Sequence, residues 1–224
     1  MKRRPCTSMV KHSVTNMGCG HSKDHPKNVD LVKLRKKYDT EPIKKAKLLN
    51  IWTIGGNSQK TLALAKLISE KLEFLLVTED SLLQTEMDAE SERGKIIKEV
   101  VEDKSNICPS VILDLVAEFV LENLEGVKGI VFHGIPRDRE QAWQLQRLIG
   151  PVSLVVFCEL TGEELMTALA EEGDEPSVVK TKVDNFQKCV LQFAKHKTIM
   201  KVDGTSEPEN VIEEIVEKVH SIAK

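Results

Sequence analysis

An α/β fold built on a five-stranded parallel sheet is predicted for residues 48–224, and three observations predict it. Five short apolar runs lack the polar alternation of half-exposed strands, which is the pattern of strands covered on both faces. Stretches of helical period separate these runs, and strand–helix alternation generates a parallel sheet with helices on both sides. The charge balance changes at the same boundary. Residues 1–47 carry 13 Lys/Arg against 4 Asp/Glu, and residues 48–224 carry 19 against 31, so a basic arm of net +9 precedes an acidic body of net −12.

The elements follow in order. Residues 1–27 are rich in Lys, His, Ser, Gly and Pro without periodicity, and residues 1–47 as a whole read as a basic, mostly disordered tail. Within it, Asn28 to Tyr38 has Leu31, Leu34 and Tyr38 on one face of a short basic helix, which Asp39 to Pro42 breaks. Strands are expected at Leu49–Ile54, Glu73–Thr78, Gly129–His133, Val152–Cys158 and Thr198–Val202. The intervening periodicity predicts helices at Thr61–Leu72, Ser91–Val101, Ser110–Asn123, Arg139–Ile149, Glu163–Glu172, Val179–His196 and Glu209–Ala223. Ser110 is the candidate N-cap of its helix.

Composition excludes several classes. No apolar run reaches the roughly 18 residues of a membrane span, and the basic start lacks the apolar stretch of a secretory signal. Five widely spaced cysteines without a C-x-x-C pair read as reduced thiols in a cytoplasmic protein. Cys6, His12, Cys19, His21 and His25 fit no zinc-ligand spacing, so no metal site is expected. Nothing in the chain points to nucleic acid.

Ligands of such folds bind at the carboxyl ends of the strands. The first strand runs into Gly55-Gly56-Asn57-Ser58-Gln59-Lys60-Thr61 and then a helix, the layout of a phosphate-cradling P-loop. The usual spacing is G-x-x-x-x-G-K-[ST]; here the loop is one residue short and lacks the glycine before Lys60. Lys60 reads equally as a solvated first-turn helix residue.

A second set of segments gives the first more weight. Thr78-Glu79-Asp80-Ser81-Leu82-Leu83, Ser91-Glu92-Arg93-Gly94 and His133-Gly134-Ile135-Pro136-Arg137 with Gln141 resemble, in order and spacing, segments of the adenylate kinases. The resemblance covers about residues 48–224 and implies a P-loop-type three-layer fold with a monophosphate-binding helical region and a short lid. It implies Gly55, Gly56, Lys60 and Thr61 as a phosphate-binding remnant, and Thr78, Arg137 and Gln141 as monophosphate-binding residues. The departures are telling. Gln84 and His133 stand where the family has Arg and Asp, and anchoring on Thr61 puts Gln59 at the lysine position. No arginine follows Arg147, and the segment expected to form the lid is the acidic run Ala170 to Val179.

Phosphoryl transfer depends on cations that neutralise the phosphoryl oxygens, so these losses predict a pseudoenzyme with no residue assigned to catalysis. The expected role is a nucleotide-binding or scaffolding module that takes a nucleoside monophosphate. An active nucleoside monophosphate kinase using Mg-ATP is the alternative, and a pure protein-interaction domain a third. Met17-Gly18-Cys19-Gly20-His21-Ser22 matches the myristoylation pattern if translation starts at Met17. Gly18 and Cys19 would then be lipidated, and the basic tail would meet an anionic membrane surface.

Overall fold

Strands form where the apolar runs lie. The structure, a computed structural model, describes residues 26–55, 58–103, 105–171 and 199–223. Strands β1 (Leu49–Gly55), β2 (Leu75–Thr78), β3 (Gly129–His133), β4 (Leu154–Glu159) and β5 (Ile199–Asp203) form one all-parallel sheet in the order β2-β3-β1-β4-β5. The helices are α1 (Asn28–Lys33), α2 (Glu41–Ala46), α3 (Ser58–Leu72), α4 (Glu79–Asp88), α5 (Glu92–Glu102), α6 (Pro109–Glu122), α7 (Arg139–Ile149), α8 (Gly162–Glu171) and α9 (Pro208–Ile222). No helix among the described residues is long and apolar enough to cross a membrane.

Strand period divides the interior into two cores, which is why the runs do not alternate with polar residues. Trp52, Ile54, Ile130, Phe132 and Val155 pack with Val116, Val120 and Leu145 of α6 and α7. Ile51, Val131, Leu154 and Val156 pack on the other face with Leu64 and Ile68 of α3 and Ile215 and Val219 of α9. Trp52 belongs to the core, as its run predicts, and its indole N–H donates to Asn50 Oδ1 at 2.7 Å. Trp143 does not: it stays 55% exposed on α7 with the Arg147 guanidinium 4.7 Å above its ring.

Three local expectations need correction. Thr78 is followed at once by α4, which the sequence reading passed over; Thr78 caps it, Glu79 and Asp80 occupy its first turn, and Leu82 and Leu83 are buried. α6 begins at Pro109 with Cys108 as N-cap, so Ser110 lies inside the helix; proline suits that first position because it has no N–H to satisfy. The helix expected over Asn28 to Tyr38 stops at Lys33. The helix expected at Val179–His196 falls outside the described residues.

Residues 26–47, expected to belong to a mostly disordered arm, pack against the body. Leu31 and Ile43 are fully buried. Asn28 clamps the turn before α6, donating to Asn106 O at 2.9 Å and accepting from Cys108 N at 3.1 Å. Arg35 makes two hydrogen bonds to Asp114, at 2.8 and 3.0 Å, and the Tyr38 hydroxyl donates to Glu118 at 2.9 Å. Charge asymmetry explains the contact: part of the basic arm finds its carboxylates on its own acidic body. A lone short helix would be marginal in water; two apolar anchors, the Arg35–Asp114 ion pair and these hydrogen bonds supply what propensity cannot.

Candidate functional site at the carboxyl edge of the sheet

Register brings the strand ends together. Thr53 and Thr78 both lie opposite His133, Gly55 lies opposite Cys158, and Glu159 opposite Asp203. β1 ends at Gly55, and α3 begins at Ser58. Gly55 is required there, because a Cβ at that position would stand 2.3 Å from Thr61 Cγ2 and 2.8 Å from Cys158 Cβ. Thr61 is 1% exposed, its methyl packed against this glycine. Gly56 lies outside the described residues. Lys60 reaches across to the start of α9, donating to Thr205 O at 2.6 Å and to Glu207 Oε1 at 2.9 Å.

Thr78, Arg137 and Gln141 do come together, at the ends of β2 and β3. Their hydrogen bonds serve the backbone of this corner. Thr78 Oγ1 accepts from Ser81 N at 3.1 Å and donates to Ser81 Oγ at 2.8 Å, closing the N-terminus of α4. Gln141 is buried, and its Oε1 accepts from Arg137 N at 2.6 Å. Gly134, at φ 75°, makes the turn that carries the chain from β3 past Glu79 to Arg137; a residue with a Cβ would be strained there. Arg137 Nε then stands 2.8 Å from Glu79 Oε2. This is an ion pair by distance, but its N–H is not aligned on the oxygen, and Oε2 is buried without a hydrogen bond.

Glu79 is 4% exposed, and burial outweighs the attraction of Arg137, pushing its carboxyl up to about 7. Beside it, His133 is held below the ordinary imidazole range by burial, against the opposing charge of Asp80, and its Nδ1 lies 3.4 Å from Thr53 Oγ1. A magnesium ion seeks oxygen ligands, so a neutral imidazole at this strand end does not fit it. The third cation of the region, Arg93, is buried on α5. Its Nη2 donates to Glu86 at 2.5 Å and Glu118 at 2.7 Å.

No family model matches the chain. Adenylate kinase isoenzyme 5 of Bos taurus is 27% identical over 194 residues, covering 81% of this chain and 34% of that protein. Adenylate kinase isoenzyme 1 of Sus scrofa is 22% identical over 186 residues, covering 78% of this chain and 95% of that protein. The same isoenzyme of Gallus gallus is 23% identical over 192 residues, covering 81% and 96%. The chain is a distant homologue of the adenylate kinases.

This adenylate-kinase homologue spans about a third of the length of the isoenzyme 5 proteins it matches and nearly the whole of isoenzyme 1. Its sheet order is the one expected of the P-loop adenylate kinase fold. Most of the acidic run expected to form the lid lies outside the described residues, as do Gly18 and Cys19. Sequence reasoning named Lys60 and Arg137 as candidate site cations, did not name Arg93, and missed the acids that face the three: Glu79, Glu86, Glu118 and Glu207. Glu79 had a signal, an acid directly after a strand-ending Thr; its pairing with a residue 58 positions away had none.

Glu79 also predicts how the stability of this homologue depends on pH. Its folded pKa is raised above the ordinary 4.5, so between about 4.5 and 7 the folded state binds more protons than the unfolded one. Stability contributed by this group is complete below that window and lost as pH rises through it, by up to roughly 3 kcal/mol. Urea unfolding at pH 5 and pH 8 is expected to show this loss for the wild type and a much smaller one for Glu79→Gln. Equal pH dependence in the two proteins would contradict it.

Proposed function

We propose that this chain is an adenylate-kinase-like module that does not transfer phosphate efficiently and serves as a nucleotide-binding or scaffolding domain. One observation carries the reading: three described cations where phosphates would be handled are each matched to carboxylates of the same chain. Lys60 meets Glu207, Arg137 meets Glu79, and Arg93 meets Glu86 and Glu118. Catalysis needs positive charge directed at the phosphoryl oxygens, not already engaged elsewhere. The depression at the ends of β4 and β5 adds to this, since Glu159, Glu164 and Asp203 line it against Lys201, the wrong sign for a triphosphate.

The loops, and not the strength of these pairs, separate the two halves of the site. Lys60–Glu207 is solvent-exposed and worth about 0–1 kcal/mol, so it alone would not block a ligand. The ATP side lacks the full glycine loop, whereas Thr78, Gly134, Pro136, Arg137 and Gln141 stay assembled on the monophosphate side. Nucleotide binding is therefore expected there. In thermal unfolding, AMP should raise the melting temperature more than an equal concentration of Mg-ATP, and Arg137→Ala should abolish the AMP effect. A shift with Mg-ATP and none with AMP would reverse the assignment.

A further inference from the structure

Arg137 is held at every group whose contacts are seen. Its backbone N–H donates to Gln141 Oε1 at 2.6 Å, its Nη1 lies 3.4 Å from Asn106 Oδ1, and its Nε faces the Glu79 carboxylate at 2.8 Å. Arg137 itself is about half exposed, with a side-chain exposure of 52%, whereas that of Glu79 is 5%. The carboxylate therefore lies beneath the guanidinium, on its protein side, and the cation lies between it and solvent. An anionic ligand approaching Arg137 meets a guanidinium already matched with negative charge.

We infer that Glu79 is an internal carboxylate ligand of Arg137 and a specificity-determining residue of this corner: a phosphate gains the guanidinium only by displacing or neutralising it. The inference rests on the reading of this corner as a monophosphate site. Displacement is obstructed, because Glu79 is in the first turn of α4, and Thr78 and Ser81 pin that turn. Neutralisation needs only one proton from solvent on Oε1 or Oε2, which converts the carboxylate to an acid and leaves Arg137 to the phosphate. The charged and titratable groups around it are Arg137 from the loop after β3, Asp80 on its own helix and His133 at the end of β3, the last set against Asp80. On α5 and α6, which also pack against α4, Arg93 is engaged with Glu118 and with Glu86. Burial of Glu79 makes the proton accessible near neutral pH.

Binding of a monophosphate would then take up a proton, and affinity should rise on acidification. AMP by itself predicts the opposite, since its phosphate loses charge below a pKa of about 6. Calorimetric titration of AMP into the full chain at pH 6 and pH 8 tests this with wild type, Glu79→Gln and Glu79→Gln/Arg137→Ala, each first shown to be folded by circular dichroism. At pH 8, Glu79→Gln is expected to bind AMP about tenfold more tightly than wild type, or more. The gap should narrow at pH 6, and Arg137→Ala should remove the gain. Glu79→Ala replaces the glutamine variant if the latter fails to fold. If neither folds, the wild type decides: a flat or falling AMP affinity from pH 8 to pH 6 overturns the inference. Equal binding by wild type and Glu79→Gln, or a gain that survives Arg137→Ala, overturns the inference and leaves the monophosphate reading intact. No AMP binding by any of the proteins overturns both.

Discussion

Supplied with ATP, AMP and magnesium, the purified protein is expected to transfer phosphate at least about 10³-fold more slowly than adenylate kinases with a complete arginine set. A single arginine acting on the transition state is worth on the order of 10³–10⁵ in rate, because its planar fork neutralises two phosphoryl oxygens at once. Here no arginine follows Arg147 in the sequence. Of the four in the body, Arg93 is committed to two carboxylates, Arg137 faces Glu79, Arg147 stacks on Trp143, and Arg139 is the exposed first residue of α7. Lysines could add point charge without the bidentate geometry. The strand-end His133 adds a further deficit, since burial keeps it neutral. A coupled assay of ADP formation measures the rate directly. Turnover of roughly 1–10³ s⁻¹, the ordinary range for enzymes, would end the pseudoenzyme reading.

Replacing Arg93 by alanine is expected to destabilise the fold by about 3–5 kcal/mol, the usual cost of breaking a buried ion pair from one side. The Arg93 side chain is 7% exposed, and its hydrogen bonds to Glu86 and Glu118 join α5 to α4 and α6. Tyr38 and Lys36 reach the same Glu118, so the loss should also loosen the segment that precedes the sheet. Both carboxylates are held below the ordinary glutamate range against the pull of burial, the Arg93 hydrogen bond being the largest of the lowering effects. Their stabilisation is therefore present above about pH 4.5 and fades as pH falls below it. The network is not ideal, since Arg93 Nε and Nη1 are buried without a hydrogen bond. Arg93→Met combined with Glu86→Gln and Glu118→Gln should for that reason recover much of the loss, by removing the charges together. Urea unfolding of the two variants checks both statements. A cost below about 1 kcal/mol for Arg93→Ala would show that this arginine is not a structural residue.

The same physics separates what could be read in the chain from what could not. Apolar runs of strand length and helical periods report burial of each element separately, so β3 and α7 begin and end where the pattern placed them. The remaining strands shift by one or two residues at their ends, where hydrogen bonding to a neighbour, and not hydropathy, sets the limit. α4 escaped because its apolar content is low; its start is fixed by a cap and by acids in the first turn, signals of one or two residues each. Motif spacing carried the family resemblance, and with it Thr78, Arg137 and Gln141 as neighbours, since a fold shared over most of the chain fixes where strand ends meet.

By itself, then, the sequence determined the α/β class, the places of the sheet strands and the short supply of arginine, all of which depend on residue type and spacing along the chain. Only the tertiary structure decided that Glu79 lies under Arg137, that Glu86 and Glu118 share Arg93, that Lys60 turns to Glu207, and that residues 26–47 belong to the body. Those pairings join residues up to 147 positions apart. An acidic residue in a sequence carries no mark of its partner. Whether it is a solvated charge or an internal counter-ion depends on the distance and burial that folding imposes, because Coulomb attraction and desolvation act through space and not along the chain.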